Sequence, residues 1–471
     1  MKAGISEVNI TPEQSLRVAG MLNPPRAQGT QWPLFARSFV FASEQTTLAI
    51  VVLDNLMLAP ALIPGFRAAI TRGTQLAPEH VMITCTHTHR APFAAALMDE
   101  EIDFEYVDWM QAQAALGIRR ALDALQPARL KVAHIQAPGW TFNRRQVYRS
   151  ERYGEQVGTQ GPQKTPAYLR NEGPEDHEIK TLLVESAGGA SVAATVGGLV
   201  NFACHATVMG GEPVYSADYA GPLTEALAGH YGGIFGFLQG AAGNLWAIDT
   251  SEFTDLLARD YMGPEHALSM GKALAGKAIQ SLETGQYVQG EQAAVASRVL
   301  SIPQRKVTRA QVELAQRYLE EPQAAINQQE FTRQVYGHDY TFYNNDASVQ
   351  AWFARETIGM WEWQRRTGVR QPEEAVEVQV MRLGDCALVG LPGEIFTEFG
   401  LQIKAESPFK ETFVIELANG WHGYIPTREA FEHGGYETRL GYTSRLAPEA
   451  GEGMVQAALE QLNRLKSQTE E

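Results

Sequence analysis

Two histidines one residue apart, His87 and His89, close the run Val81-Met82-Ile83-Thr84-Cys85-Thr86-His87-Thr88-His89-Arg90. Imidazole is a common zinc ligand and the side chain that exchanges protons near neutral pH. The apolar start of this run, after Pro78-Glu79-His80, predicts a buried strand. Residues i and i+2 of a strand share a face. His87 and His89 are therefore expected to project side by side from the strand's end, where α/β folds place their sites. Taken alone, the pair reads equally as hydrogen-bonded structural histidines or as part of a metal site. Cys204-His205-Ala206-Thr207 ends a second apolar run in the same manner. A lone strand-end histidine is ordinarily structural; the recurrence is what gives His205 weight as a ligand. Glu394 follows Leu391-Pro392-Gly393 at the end of a third strand-like run. Its bland alternative is a first-turn glutamate favoured by the helix dipole.

The elements that must carry these residues alternate. Strands are expected at 5–11, 39–41 and 48–53, the last two forming a hairpin about the polar 43–46. Asp54 then reads as a helix N-cap or as a carboxylate behind a site residue. Helices at 60–72 and 106–125 flank the histidine strand, giving β-α-β-α order. A strand at 131–136 precedes the polar arm Asn143-Arg144-Arg145 and a long Gly/Gln/Pro-rich loop over 154–174. Strands at 179–185 and 191–202 read as a pair. After a helix at 223–231, a strand at 234–238 runs into Gln239-Gly240-Ala241-Ala242-Gly243-Asn244. This turn allows close backbone approach but lacks the Lys-Ser/Thr pair of a phosphate loop. Helices follow at 266–282 and 308–318, the second opened by a Thr308/Gln311 capping pattern. The aromatic, polar stretch to 366 is expected to be largely helical. A hairpin at 376–381 and 387–389 turns at Gly384-Asp385. A helix at 395–405, a strand at 413–417, an aromatic glycine-punctuated loop and a helix at 453–466 complete the chain. The expected architecture is one large α/β domain over 1–471, with a mixed sheet or two packed sheets, flanking helices, and a helical insertion or cap at 305–370.

Composition narrows the partners. A formal charge of −15 with no basic block argues against nucleic acid and against an anionic membrane surface. No apolar run has membrane length, and no secretory leader pattern opens the sequence. Three cysteines, Cys85, Cys204 and Cys386, are too few and too odd in number for a disulfide framework. The expectation is a cytoplasmic protein that takes a small-molecule substrate and does not insert into membranes.

The ordered set of motifs resembles the neutral/alkaline, non-lysosomal ceramidase family. It comprises Gly4 to Pro12, Pro33-Leu34-Phe35-Ala36-Arg37, Thr86-His87-Thr88-His89, Asn143-Arg144, Cys204-His205-Ala206-Thr207, Pro392-Gly393-Glu394, Gly423 to Thr427 and Gly435-Tyr436-Glu437. The likeness spans most of the chain. It implies one zinc ion held by His87, His205, Glu394 and Tyr436. It also implies that His89 and Arg144 line the pocket and contact the reacting carbonyl. Two departures stand out. Where the family's ceramidases carry Gly-Asp-x-Ser-Pro-Asn, this chain reads Gly243-Asn244-Leu245-Trp246-Ala247-Ile248, with Trp246 at the serine's place. No trace of the family's C-terminal immunoglobulin-like domain is found. The resemblance thus implies a catalytic-domain-only, intracellular relative for which ceramide is a poor substrate.

Two imidazoles, a carboxylate and a phenolate suit zinc better than the soft thiolate sets do. Zinc lowers the pKa of a bound water toward ~7. His89 is then expected to carry protons and Arg144 to hold developing negative charge. The expected function is zinc-dependent hydrolysis of an amide or related C–N or C–O bond in a small polar or acylated substrate, through activated water. Two other readings stay open. One is a metal-dependent lyase, isomerase or glycoside-processing enzyme acting on a sugar-like substrate, for which the aromatics at 340–365 and 419–436 would suit stacking. The other is a metal-bearing binding protein without catalysis.

Overall fold

The computed structural model describes residues 1–150, 154–160, 163, 167–187, 194–251, 262–320, 347–369 and 372–468. The strands are β1 (Lys2–Asn9), β2 (Phe35–Ala42), β3 (Thr47–Leu53), β4 (Val81–Cys85), β5 (Gln126–Gln136), β6 (Phe142–Asn143), β7 (Arg145–Ser150), β8 (Gly154–Thr159), β9 (Tyr168–Asn171) and β10 (Glu178–Ser186). They continue with β11 (Thr195–Phe202), β12 (Ile234–Gln239), β13 (Leu245–Trp246), β14 (Gln286–Tyr287), β15 (Ala293–Pro303), β16 (Glu373–Leu383), β17 (Cys386–Gly390), β18 (Glu394–Ile395), β19 (Glu411–Ile415) and β20 (Tyr424–Ile425). The α-helices are α1 (Ile63–Thr71), α2 (Phe104–Asp123), α3 (Ala220–Tyr231), α4 (Pro264–Leu282), α5 (Arg309–Glu320), α6 (Ala347–Thr367), α7 (Thr397–Glu406), α8 (Arg428–His433) and α9 (Ala450–Ser467).

Two mixed sheets stack face to face. The larger runs β12-β11-β10-β5-β1-β2-β3-β4, with β14 beside β5; the smaller runs β15-β16-β17-β19. Phe39, Val52, Met82 and Leu182 of the first meet Met381, Leu388, Phe413 and Ile415 of the second in one apolar layer. On the larger sheet's outer face, α1 and α2 pack through Phe66, Met110 and Ile118. Farther along that face, α3 and α4 pack through Leu223, Met270 and Leu274. The smaller sheet is covered by α7 and α9 through Phe399, Met454 and Leu462. The molecule is thus a helix–sheet–sheet–helix sandwich, the two-sheet form of the expected α/β class. The double cover explains why β3 (Thr-Leu-Ala-Ile-Val-Val-Leu) is an unbroken apolar run rather than an alternating one.

Several expectations hold in detail. Thr308 and Gln311 form a reciprocal capping box, with Thr308 N–H donating to Gln311 Oε1 at 2.8 Å and Gln311 N–H to Thr308 Oγ1 at 3.3 Å. The 376–389 segment is an antiparallel hairpin about Gly384-Asp385. All three cysteines are free and buried. Others are corrected. The loop expected over 154–174 contains β8 and β9, which flank β7 in a small antiparallel sheet. Glycine and glutamine obscured the strands because pairing, not propensity, holds them. The 11-residue strand β15 was unforeseen, and it pairs with β16 along its whole length. Its half-exposed position at the sheet edge breaks the apolar pattern that marks buried strands. Residues 304–372 join these two paired strands and carry α5 and α6; the part of the expected helical stretch at 321–346 lies outside the described residues. So does 191–193 at the start of the strand expected from 191. Among the described residues, no helix is long and apolar enough to cross a membrane.

Candidate metal centre

The site forms where parallel strands of both sheets end. β4 runs parallel to β3, β11 to β12, and β17 to β19. His87 follows β4, His205 follows β11, and Glu394 follows β17, each a few residues past the carboxyl end. This is where parallel sheets leave room for ligands. The strand alternation expected for His87 and His89 does not operate, because β4 stops at Cys85. His87 instead takes a left-handed backbone (φ 65°), and the turn after it brings the two rings to 5.0 Å between centroids. Positive φ at a non-glycine residue is strained and is typical of functional sites. Glu394 is likewise not a first-turn acid. It lies in β18, pairs with Tyr424 of β20, and precedes α7.

Hydrogen bonds fix the imidazole tautomers. His87 Nδ1 lies 3.1 Å from Leu56 O, and His205 Nδ1 lies 2.7 Å from Ala242 O. A carbonyl only accepts, so both Nδ1 atoms carry a hydrogen and both Nε2 atoms are turned inward. They face the same carboxylate oxygen, Glu394 Oε2, at 3.5 Å from His87 and 3.1 Å from His205. The other oxygen, Oε1, accepts from Trp421 Nε1 at 2.9 Å. Burial, and then the Arg144 charge, pulls the His205 imidazolium down to about 4, so the ring is neutral at physiological pH. Burial opposes ionisation of Glu394, yet the two histidines hold its carboxyl well below the usual range. Three buried ligand atoms therefore converge, all within 4.8 Å of one another. His87 Nε2 is left without a hydrogen-bond partner, and an unsatisfied buried polar atom costs about 1–3 kcal/mol. Two imidazoles and a carboxylate in this arrangement fit a divalent cation.

The surroundings are built to hold this triangle. Glu416 Oε2 accepts from Ala242 N–H at 3.2 Å and Ile395 N–H at 2.7 Å, so one buried carboxyl positions the carbonyl behind His205 and the strand bearing Glu394. Burial, reinforced by Glu394, pushes the Glu416 carboxyl well up. Asn419 clamps β4 to the second sheet, donating from its backbone to Ile83 O at 2.7 Å and accepting at Oδ1 from Ile83 N–H at 3.0 Å. Gly243 packs directly on Glu394, where an added Cβ would lie 2.4 Å from the Glu394 carbonyl oxygen. Asp54 is neither a helix cap nor a neighbour of the triangle. It accepts from Arg37 Nη1 at 2.7 Å and Phe35 N–H at 2.9 Å, a buried pair that ties β2 to the end of β3.

His89, Arg144 and Tyr436 line the same cavity of about 230 Å³ as the triangle. His89 Nδ1 donates to Gly20 O at 3.0 Å, leaving Nε2 as a buried acceptor without a partner. Burial, then the neighbouring His87 and His205, holds the ring neutral. Arg144 is more committed than the sequence implied. Its Nε donates to Glu437 Oε1 and its Nη2 to Gly243 O, each at 2.8 Å. Although burial works against the charge, Tyr424 and Glu437 raise its already high pKa. Tyr436 sits in a short 3₁₀ turn, its ring 5.8 Å from that of Tyr424 and 5.5 Å from that of Phe353 in α6. Trp246 pairs with Phe142 across β13 and β6 and also borders the cavity. Cys85 and Cys204 pack in the two helix-facing apolar clusters, as expected for residues adjacent to the site.

Tyr424, Trp421, Glu416 and Glu437 were not singled out as site residues from sequence. Tyr424 stacks on His205, with ring centroids 6.4 Å apart and planes at 15°. Trp421 and Tyr424 fall in the aromatic loop, and Glu437 ends the Gly-Tyr-Glu turn, so a signal existed for those three. Glu416 sits past an ordinary apolar strand, and nothing local marks it.

No family model and no curated protein matches the chain. Solved structures do. A neutral ceramidase from Pseudomonas aeruginosa superposes with a TM-score of 0.70 at 18% identity, covering 99% of this chain and 74% of that one. The fold is that of neutral ceramidase. A ceramidase complexed with C2 gives 0.69 at 17% identity, covering 99% of this chain and 75% of the other. The neutral ceramidase fold thus accounts for the described sandwich nearly end to end, and it was expected from the order of the motifs.

Proposed function

We propose that this chain is a zinc-dependent hydrolase of an amide or related C–N or C–O bond in a small polar or acylated substrate, a neutral-ceramidase relative that works without a serine. The observation that carries this reading is the buried convergence of His87, His205 and Glu394, with their ligand atoms within 4.8 Å of one another. Tyr436, on the cavity wall, completes the ligand set. Bound there, zinc supplies Lewis acidity toward a carbonyl oxygen and brings water's deprotonation near neutral pH. Trp421 holds Glu394 with Oε2 turned inward, and the carbonyls of Leu56 and Ala242 hold both imidazoles in the ligating tautomer. His89 Nε2 takes the proton of the attacking water and returns it to the leaving nitrogen. Arg144, fixed by Glu437 and Gly243, presents positive charge to the oxygen that becomes negative in the tetrahedral transition state. Trp246 stands where the family's serine would be, so direct attack by water is the natural route. Helices α5 and α6 act as a cap, with Phe353 of α6 against the Tyr436 ring.

Zinc content measured on wild type, His87→Ala and His205→Ala tests the centre. One equivalent in wild type and large losses in both variants are expected, together with hydrolysis of short N-acyl amides by zinc-loaded wild type alone. Equal zinc in all three proteins would remove the centre. A fully metallated wild type that is inert on amides and active on glycosides would replace the reaction class.

A further inference from the structure

Arg90, the last residue of the histidine stretch, has no role in the centre as described. It is only 2% exposed yet lines the same cavity as His87, His89 and Glu394. Its Nη1 donates to His89 O at 2.6 Å and to Met21 Sδ at 3.0 Å, while its buried Nε has no partner. Asp218 and Glu212 are the acids whose charge reaches it, and among the described residues neither comes within the 4.0 Å of an ion pair. The Asp218 oxygens are already occupied, Oδ2 by Met209 N–H at 2.9 Å and Oδ1 by Tyr219 N–H at 2.7 Å. Arginine is almost never buried without a carboxylate partner. In a chain of formal charge −15, acids are not scarce. Among the described residues, none forms an ion pair with this guanidinium beside the cavity.

A second donor has the same status. Trp246 is 4% exposed, borders the cavity, and its indole Nε1 lacks an acceptor. The cavity of about 230 Å³ falls below the ~300–1,000 Å³ typical of pockets for drug-sized ligands.

We propose that the substrate is a small amide bearing a carboxylate, of the N-acyl amino acid type, with Arg90 pairing the carboxylate and Trp246 Nε1–H donating to the same ligand. The planar guanidinium fork matches a carboxylate in a way no neutral group reproduces. This rests on the hydrolase reading above and narrows its substrate.

The test compares kcat/KM of zinc-loaded enzyme on N-acetyl amino acids with that on their neutral methylamides. Wild type is expected to prefer the carboxylates by about 10- to 100-fold, mostly through KM. In Arg90→Gln that ratio falls toward one, and in Arg90→Lys part of it survives. A parallel calorimetric titration uses methanesulfonate, an anion that coordinates metals poorly; wild type binds it and Arg90→Gln does not. Hydrolysis without charge preference in wild type overturns the anion site and leaves the hydrolase standing. Methanesulfonate binding that depends on Arg90, with no hydrolysis of any amide, keeps the anion site and overturns the hydrolase. If Arg90→Gln fails to fold, the wild-type preference and Arg90→Lys decide: equal rates on charged and neutral amides sink the proposal.

Discussion

Glu416 shows how one side chain far from any motif sets the geometry of a centre. Its single oxygen Oε2 collects the N–H groups of Ala242 and Ile395, one just behind His205 and the other just after Glu394. Glu416→Gln keeps a carbonyl oxygen in that place. Zinc affinity is then expected to stay within about threefold of wild type, whereas Glu416→Ala loses about 10- to 100-fold, the usual effect of removing a group that orients metal ligands. Competition with a chromogenic chelator measures both. At this scale the sequence displayed His87, His89, His205, Glu394, Arg144 and Tyr436, because their types and neighbours are unusual. It did not display Glu416, because an acid after a strand is common and its role depends on two backbones it meets only in the folded chain.

Helix α6 is anchored by a carboxyl rather than by apolar contact alone. Glu356 is 8% exposed and receives the backbone N–H groups of Tyr442 and Thr443. Burial is the leading influence and pushes its carboxyl from the ordinary 4.5 up to about 7. A carboxyl raised in the folded state binds its proton more tightly there than in the unfolded chain. Its contribution is therefore complete below pH ~4.5 and is lost as pH climbs through ~7, an effect of about 3 kcal/mol. Glu356→Gln, which stays neutral, is expected to melt higher than wild type at pH 8 and to show no such gain at pH 4.5. Thermal melts at the two pH values check this. The ends of α5, marked by Thr308 and Gln311, were readable because capping is local chemistry. The short strands β8 and β9 were not, since their pairing with β7 is decided outside their own residues.

Across the whole molecule the centre is an interface between two sheets. His87 and His205 ride on the larger sheet, while Glu394, Trp421 and Tyr424 ride on the smaller. Phe413, fully buried in β19, fills the layer between them. Phe413→Ala is expected to destabilise the fold by about 3–5 kcal/mol, read as a shift in the urea midpoint. Because zinc would bridge the two sheets, saturating metal should restore part of that loss, since a ligand of the native state stabilises it by mass action. A variant equally destabilised with and without zinc would place the metal elsewhere.

The sequence by itself determined the α/β class, the order in which donor residues leave their strands, and the capping box that opens α5. Each of these follows from periodicity, charge or side-chain type within a few residues. Only the tertiary structure decided that the left-handed turn at His87, not strand alternation, sets the two imidazoles together. Only it showed that Asp54 serves Arg37, and that Glu394 faces two imidazoles instead of sitting in the first turn of a helix. Among the described residues it also left Arg90 without an ion-paired acid. Those outcomes depend on which strand ends the packing of two sheets brings within hydrogen-bond distance, and no local pattern carries that information.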